Sequence, residues 1–307
     1  MSSTSNITTN PQHEAQRHSG LQLDGPDTLP KFIVQNPLSI HLDTRAVFFT
    51  TLGLVVAIQF LVVRIVQAAM IAIPAVLYVY NDYQNYLNLG PGGTPSTFKG
   101  YLRIAWLHFW ALRDPFSAPK PQAGTIPERG ILHRRPLPRR AGPRPTVVGI
   151  APQRQIDQSG SRLCFQALCR AARNLAADRP DTFSAGRSFI EKHGLALFAQ
   201  SPLQTRWQGE ITHFHDSDYA MHMALHPDDI QQVLDKGWGQ RHPLGWHGWR
   251  DWFYKMPVSP NFVMIYASRD EKELQVISRI VEAAIWYTLK EEVDLGVYID
   301  FQRELTS

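Results

Sequence analysis

The stretch "GEITHFHDSDYAMHMALHP", residues 209–227, predicts the central element of the fold. Apolar and polar residues alternate on both sides of an Asp-Ser-Asp turn at 216–218, and a period of two is typical of a strand buried on one face. Two such runs joined by a short polar turn predict a β-hairpin. Residues two apart in a strand share a face, so His213 and His215 should point the same way. We expect His222 to lie near them across the hairpin.

The flanking sequence adds helices and a further strand. Helical periodicity, with Pro in the first turn or Gly at the end, marks the helices, and a short apolar run marks the strand. The predicted elements are helices over 159–177, 226–237 and 269–289 and a strand in "NFVMIYAS", 261–268. Hairpins and helices without βαβ alternation indicate an α+β fold. We expect one domain over 144–290, an antiparallel sheet packed by helices, followed by a C-terminal tail at 291–307.

The longest apolar run of the chain predicts a membrane anchor. Residues 46–80, "AVFFTTLGLVVAIQFLVVRIVQAAMIAIPAVLYVY", contain a single charged residue, Arg64. Because about 20 apolar residues cross a bilayer, we expect one transmembrane helix, or as the alternative a two-helix hairpin turning near Arg64. Lys and Arg are more numerous after the run than before it, which places the C-terminal domain in the cytosol. The expected location is therefore a single-pass position in the endoplasmic reticulum membrane, with the lipid bilayer as a partner.

The remaining segments have simpler interpretations. Residues 1–45 are polar and without periodicity, which is typical of a disordered tail. Residues 81–113 predict a helical segment, either packed on the domain or lying on the membrane surface. The Pro- and Arg-rich residues 114–143 predict an extended linker. Two cysteines in 307 residues exclude a disulfide framework. The net positive charge belongs to the first half of the chain, whereas the second half has a net negative charge, so a nucleic-acid-binding domain is not supported.

Half of the twelve histidines fall between residues 213 and 247. His-x-His on one strand with a third His on the next is compatible with a metal site. Histidine also suits acid–base catalysis at neutral pH, with Asp216 or Asp218 orienting a ring. In the third interpretation, the histidines form local hydrogen bonds and have no chemical role. The residues alone leave all three open.

A second unusual stretch is "LDKGWGQRHPLGWHGW", residues 234–249. Trp238 lies between two glycines, and Arg241 and His242 follow directly. An aromatic wall beside a guanidinium and an imidazole suits a planar, anionic, aromatic ligand. The alternative is a structural loop.

These motifs resemble the fungal luciferase-like domain family. The resemblance covers most of residues 70–290, and its motifs occur in the family's order: "NDYQNYLNLGP" (81–91), "FKGYL" (98–102), "RPTVVGIAPQRQ" (144–155), "THFHDSDYAMHMAL" (212–225), "DKGWGQRHPL" (235–244) and "MIYASRDEKELQVISRIVEAAIWY" (264–287).

The resemblance implies an activity. The family includes the membrane-anchored enzyme of fungal bioluminescence, which adds O2 to 3-hydroxyhispidin, a hydroxylated styryl α-pyrone. Its product decays with light and CO2 loss. By resemblance we expect an oxygenase for a small aromatic, hydroxypyrone-like or phenolic substrate, with O2 as co-substrate and no cofactor. Residues 245–260 and the long N-terminal extension depart from the family pattern, so light emission is not implied. The alternatives are a non-catalytic, membrane-tethered binding module for an aromatic polyketide or lipid, and a His-ligated metal enzyme.

The resemblance also suggests roles for individual residues. His242 or His215 would remove a proton, which gives an electron-rich enolate that reduces O2 directly. Arg241 would stabilise the anion, and Trp238 would stack on the ring. As hypotheses, the catalytic residues are His242, Arg241, His215 and Asp216, and the substrate-binding residues are Trp238, His213, His222 and Gly239. No metal ligand is assigned, although a metal at the histidine cluster is not excluded.

Overall fold

A six-stranded antiparallel sheet forms the centre of an α+β fold. The computed structural model describes residues 43–58, 64–121, 124–203, 206–246 and 257–299. The strands are β1 (Val147–Gly149), β2 (Gln153–Gln155), β3 (Phe183–Arg187), β4 (Leu195–Ala199), β5 (Glu210–Phe214), β6 (Met221–Ala224), β7 (Gly239–Arg241) and β8 (Phe262–Ile265). Their order in the sheet is β3-β4-β5-β6-β8-β7, and a separate ribbon pairs β1 with β2.

In the described part of the chain, six helices and two short 3-10 turns accompany the strands. The 3-10 turns span Leu132–Arg134 and Arg206–Gly209. The helix ends follow ordinary capping chemistry: the Asp270 side chain accepts the backbone N–H of Glu273, and Gly237, at φ 82°, ends the helix that precedes β7. The helices are α1 (Thr44–Ile58), α2 (Arg64–Asn88), α3 (Phe98–His108), α4 (Arg162–Asp178), α5 (Pro227–Lys236) and α6 (Glu271–Leu289).

The hairpin predicted over 209–227 is present as β5 and β6. Its register pairs Thr212 with Met223, His213 with His222, and Phe214 with Met221. Successive side chains point to opposite faces, so the Thr212 and Phe214 positions face one layer of the fold while His213 and His222 face the other. This register decides where the polar residues of the sheet are placed.

The two faces of the sheet are covered differently. One face packs against α4 and α6 to form the main hydrophobic core, which includes Phe214, Met223 and Ile277. The other face carries the hairpin histidines and meets a second apolar cluster. That cluster contains Tyr86 from α2, Tyr101, Ile104 and Leu107 from α3, and Ile150, Leu244, Trp246, Val258 and Phe262. The histidines therefore lie beneath a cover made partly from the N-terminal helices.

The prediction of a transmembrane helix over 46–80 is wrong. None of the described helices is both long enough and apolar enough to cross a membrane. The described part of the run forms α1 and α2, and residues 59–63 between them lie outside the described ranges. At 1.5 Å per residue, α1 is about 22 Å long, which is shorter than the roughly 30 Å hydrocarbon core. α2 is longer, but it contains Pro74 and ends in the polar sequence "NDYQNYLN".

Many of the apolar side chains in this run are exposed on the two helices α1 and α2, and they do not belong to one continuous membrane-spanning helix. Phe48 and Phe49 on α1 and Val76 and Leu77 on α2 are all more than half exposed. The expected cytosolic orientation of the C-terminal domain depended on that transmembrane helix, so it loses its basis. The location at the endoplasmic reticulum stays a prediction. Residues 1–42 of the predicted tail lie outside the described residues.

The segment predicted as a linker, 114–143, is held against the domain in its described part. The backbone N–H groups of Ile131 and Leu132 donate to the buried carboxylate of Asp229, at 3.0 and 2.8 Å. Burial raises the pKa of Asp229 to about 6. Helix α3, in the preceding segment, packs on the domain through its buried face. The contacts with Asp229 place residues from far upstream in the chain next to α5.

Candidate functional site

Three buried histidines converge on the second face of the sheet. His213 and His222 are cross-strand partners, with ring centroids 5.2 Å apart. The His215 ring lies 5.4 Å from that of His213 and 4.7 Å from that of His222. One ring nitrogen of each residue lies within 4.8 Å of the other two. We call these residues the histidine triad.

Each histidine of the triad has a polar partner on its outer side. Nδ1 of His213 lies 2.7 Å from Oε1 of Glu210, and Nδ1 of His215 lies 3.1 Å from Oδ1 of Asp218. Ionised carboxylates only accept hydrogen bonds, so both Nδ1 atoms carry the proton. Nε2 of His222 lies 2.9 Å from Oε1 of Gln153. These contacts fix the orientation of the three rings.

The inner nitrogens face one another. Nε2 of His215 lies 2.8 Å from Nδ1 of His222. Nε2 of His213 is buried and has no hydrogen-bond partner in the described part of the chain. An unpaired buried nitrogen is costly, and the functional sites of proteins are where such a cost is commonly found.

An irregularity in the sheet brings Glu210 to His213. Leu197 of β4 pairs with Thr212, but the next residue, Phe198, pairs with Glu210, so the register shifts by one residue. In a regular strand, residues three apart point to opposite faces. The shift turns Glu210 toward His213, and its carboxylate also accepts the N–H of Phe189 and the hydroxyl of Ser188.

Electrostatics keep His215 and His222 uncharged and Asp218 ionised. Burial, reinforced by the neighbouring histidines, lowers the pKa of His222 well below its usual value. Burial also lowers the pKa of His215, against the attraction of Asp218. For Asp218, burial opposes ionisation, but His215 and the hydrogen bonds outweigh it and lower the pKa. At neutral pH His215 and His222 are therefore neutral beside an ionised carboxylate.

A buried ion pair lies beside His215. The guanidinium of Arg154 is paired with Glu191 and donates to the carbonyl of Pro91 at 2.7 Å. Its Nη1 atom lies 3.5 Å from Nδ1 of His215. That distance is longer than the 3.1 Å contact between His215 and Asp218, so we assign the Nδ1 proton to the bond with Asp218.

A cavity of about 240 Å³ borders the triad. It is near the small end of ligand pockets, which suits a small molecule. The ring of Phe262 lies parallel to that of His222, at 8° and 5.2 Å, so the wall has a flat section. The lining includes His213, His222, His242, Gln153 and Glu191 and the apolar residues Leu107, Ile150, Ile190, Leu244, Val258 and Phe262.

A larger hollow, of about 620 Å³, lies elsewhere on the surface. It is lined by residues of α6 and by Arg134, Arg135 and Glu292. None of the described residues that border it is a histidine. The chemistry of the side chains therefore favours the smaller cavity as the functional site.

His242 lies in the cavity wall, but both of its ring nitrogens are engaged. Nε2 lies 3.0 Å from the carbonyl of Ile150, and Nδ1 accepts the N–H of Leu244 at 3.1 Å. Burial lowers its pKa to about 4. A ring whose lone pair already accepts a backbone hydrogen bond has no free acceptor for a substrate proton. The geometry therefore favours His213 over His242 as the group that meets the substrate.

Arg241 and Trp238 lie outside the cavity lining. The Arg241 guanidinium donates to three backbone carbonyls, those of Ser117, Gly245 and Pro260. Trp238 is 3% exposed and belongs to the main core. Its indole N–H donates to the carbonyl of Pro138 at 2.7 Å. In this structure both side chains tie the upstream segment to the domain.

The two acidic residues of the hairpin turn differ in placement. Asp216 is exposed, whereas Asp218 is buried and accepts the N–H of Gln155 at 2.7 Å as well as contacting His215. The structure thus joins Asp218, rather than Asp216, to the triad. His247 and the aromatic residues Trp249, Trp252 and Phe253 lie outside the described ranges.

Gly239 is a glycine because β7 and β8 approach closely. A Cβ atom at this position would lie 2.3 Å from the carbonyl oxygen of Met264. We expect Gly239→Ala to lower the free energy of unfolding by about 1–3 kcal/mol through overpacking, measured by urea denaturation. Gly186→Ala is the matched control within the sheet, because its Cβ would meet Phe198 at an ordinary 3.7 Å. A Gly239→Ala variant of normal stability but altered ligand affinity would contradict this packing role.

Sequence reasoning missed several residues of the site. Glu210, Gln153, Arg154 and Glu191 were given no role. Gln153 and Arg154 belong to the motif "RPTVVGIAPQRQ", which carried part of the family resemblance, so that motif is the signal that could have found them. Glu210 and Glu191 have no comparable signal in the sequence.

Comparisons with known proteins agree with the motifs. Residues 208–284 match the family model of the luciferase domain. The luciferase of Armillaria mellea is 33% identical over 240 residues, which cover 72% of this chain and 84% of that protein. The luciferase of Neonothopanus nambi is 32% identical over 245 residues, covering 73% and 85%. No solved structure gives a significant match. On the identity and coverage of these relatives, the chain belongs to the fungal luciferase family.

Proposed function

We propose that this chain is a luciferase-type oxygenase that adds O2 to a small, planar, hydroxylated substrate of the hydroxypyrone or phenol class. The observation that carries the proposal is His213, which lines the 240 Å³ cavity and whose buried Nε2 atom has no hydrogen-bond partner among the described residues. Glu210 holds the ring of His213 from behind. The one-third identity to two named luciferases supports the reaction class.

The site would act by favouring the anionic form of the substrate. The proton of His213 is placed on Nδ1, beside Glu210, which leaves Nε2 as the ring nitrogen with a free lone pair. A substrate hydroxyl beside this nitrogen loses its proton, and the resulting anion is electron-rich. A ring carbon of the anion then forms one C–O bond to O2, two electrons pass to the dioxygen unit, and one proton completes a hydroperoxide.

The cavity would also select the shape of the substrate. Its apolar lining includes Ile150, Leu244 and Phe262, and its polar lining includes the histidines, Gln153 and, from α3, Arg103. A flat ring that carries several oxygen atoms suits this mixed lining, because a few convergent polar groups in an apolar pocket fix the ligand's orientation.

Oxygen consumption tests the proposal. The purified full-length chain is given 3-hydroxyhispidin and simpler hydroxypyrones and phenols, and oxygen uptake and photon counts are recorded together. We expect saturable uptake with at least one hydroxypyrone. Saturable binding of these compounds without oxygen uptake would contradict the proposal and indicate a binding module.

Asp218 and Asp216 provide a paired prediction. Both carboxylate oxygens of Asp218 accept hydrogen bonds, from His215 and from the N–H of Gln155. Asp218→Asn removes the charge and sets its NH2 group against one of these two donors, and such outer partners of a functional histidine typically contribute about 10–100-fold. We expect turnover to fall by that factor. Asp216→Asn, the same change two residues away at an exposed position, should leave turnover within about twofold of wild type. Steady-state oxygen uptake measures both, and equal losses in the two variants would contradict the assignment.

A further inference from the structure

The hydrogen bonds of the histidine triad leave its centre incomplete. Glu210, Asp218 and the Oε1 atom of Gln153 each accept from the outer nitrogen of one ring. With those protons placed outside, the inner nitrogens are all lone-pair acceptors. Nε2 of His215 and Nδ1 of His222 then face each other at 2.8 Å without a donor between them.

We infer that His213, His215 and His222 are the ligands of a single divalent first-row transition-metal ion. The inference concerns the site of the proposed function and rests on that function only for its role in the reaction. A cation at the centre of the triad would satisfy the facing nitrogens of His215 and His222. It would also supply a partner for Nε2 of His213, which is buried and unpaired in the described part of the chain.

The ligand chemistry fits this class of ion. Imidazole nitrogens suit Zn²⁺, Fe²⁺, Ni²⁺ and Cu²⁺. Metal-binding histidines almost always donate their other N–H to a carboxylate, carbonyl or water, as His213 and His215 do to Glu210 and Asp218. Three protein ligands beside a cavity also leave an open position for a substrate oxygen, as in catalytic metal sites.

The spacing is close to what an ion requires. The three nitrogens lie within 4.8 Å of one another. Metal–nitrogen bonds of about 2.0–2.1 Å place tetrahedral ligands roughly 3.3 Å apart. The contact of 2.8 Å between His215 and His222 would have to widen, and His213 would have to approach. Ring shifts of up to roughly 1–1.5 Å complete the set.

The surroundings of the triad also suit a cation. The buried carboxyl groups of Glu210 and Asp218 lie directly behind the rings of His213 and His215, and buried carboxyl groups are commonly paired with a positive group or a metal site. With the substrate present, the ion rather than a bare nitrogen would favour the substrate anion.

A different orientation of the Gln153 amide would satisfy part of the triad without a metal. If the amide of Gln153 is turned so that its NH2 donates to Nε2 of His222, then Nδ1 of His222 can donate to His215. The Gln153 amide nitrogen has no hydrogen-bond partner in the described structure. This arrangement satisfies two rings without an ion, although it leaves Nε2 of His213 unpaired.

Metal binding to the full-length, untagged chain tests the inference. Elemental analysis of the purified protein should find about one equivalent of transition metal. After chelation, Co²⁺ titration followed by visible absorption should saturate at one equivalent. His213→Asn, which can keep a donor to Glu210 but lacks Nε2, should lose saturable binding. Glu210→Gln should weaken it by about 10–100-fold.

The control is a substitution of a buried histidine outside the triad. His226→Asn changes a buried histidine that caps α5 outside the cavity, and it should bind Co²⁺ like wild type. Circular dichroism checks that each variant is folded, and if His213→Asn is not, wild-type stoichiometry and Glu210→Gln decide. No retained metal together with no saturable Co²⁺ binding by wild type would overturn the inference, as would unchanged binding in His213→Asn. If metal-free protein still consumes oxygen, the metal inference fails and the oxygenase proposal stands. If the protein binds metal but consumes no oxygen, the oxygenase proposal fails and the metal inference stands.

Discussion

His213→Asn is expected to lower turnover by about 10²–10⁴-fold, the usual contribution of a positioned proton-transfer group. The amide nitrogen of Asn can replace Nδ1 as the donor to Glu210, so the buried carboxylate keeps a partner. What is lost is Nε2, a buried ring nitrogen without a hydrogen-bond partner in the described residues. Initial rates of oxygen uptake at saturating substrate measure the effect.

The control uses the same substitution at another buried histidine. His226 accepts the N–H of Asp228 through Nδ1 and caps α5, and Asn is a favourable residue at an N-cap. His226→Asn should therefore keep turnover within about twofold of wild type. Equal activity of His213→Asn and wild type would exclude His213 from the reaction and return attention to His242.

Trp238→Ala is expected to lower the free energy of unfolding by about 3–5 kcal/mol, the usual cost of truncating a buried Trp. The side chain is 3% exposed, packs in the main core and donates its indole N–H to Pro138. This loss is a large part of the roughly 5–15 kcal/mol stability of a domain. Urea denaturation of the full-length chain measures it.

Trp238→Phe separates packing from hydrogen bonding. It keeps an aromatic ring but removes the donor to the Pro138 carbonyl, at a cost of about 1–3 kcal/mol. Because Trp238 lies outside the cavity lining, the KM of the folded Trp238→Phe variant should stay near that of wild type. A many-fold rise in KM with unchanged stability would instead support the stacking role that the sequence suggested.

The hairpin and its histidines were predictable because the signals are local. Alternation on both sides of a short polar turn predicts which two segments pair, and the structure makes His213 and His222 cross-strand partners. His215 shares their face by its spacing alone. The outer partners were less accessible. Glu210 reaches His213 through a register shift that alternation does not reveal, and Gln153 comes from a ribbon 69 residues from His222.

The roles of Trp238 and Arg241 depended on contacts that local sequence does not encode. A run of Gly, Trp, Arg and His has the same composition whether it lines a pocket or fastens a distant segment. The partner of Trp238 is 100 residues away, and Ser117 is 124 residues from Arg241. The transmembrane prediction failed for a related reason. Hydropathy counts apolar residues, but it does not show where one helix ends and the next begins.

Incubation of the full-length chain with 3-hydroxyhispidin under ¹⁸O2, followed by mass spectrometry of the products, tests the oxygenase proposal most directly. The account predicts that ¹⁸O enters the product in wild type and that the labelled product is reduced at least about 100-fold in His213→Asn. Tight, saturable binding of the substrate with no label in any product would contradict it.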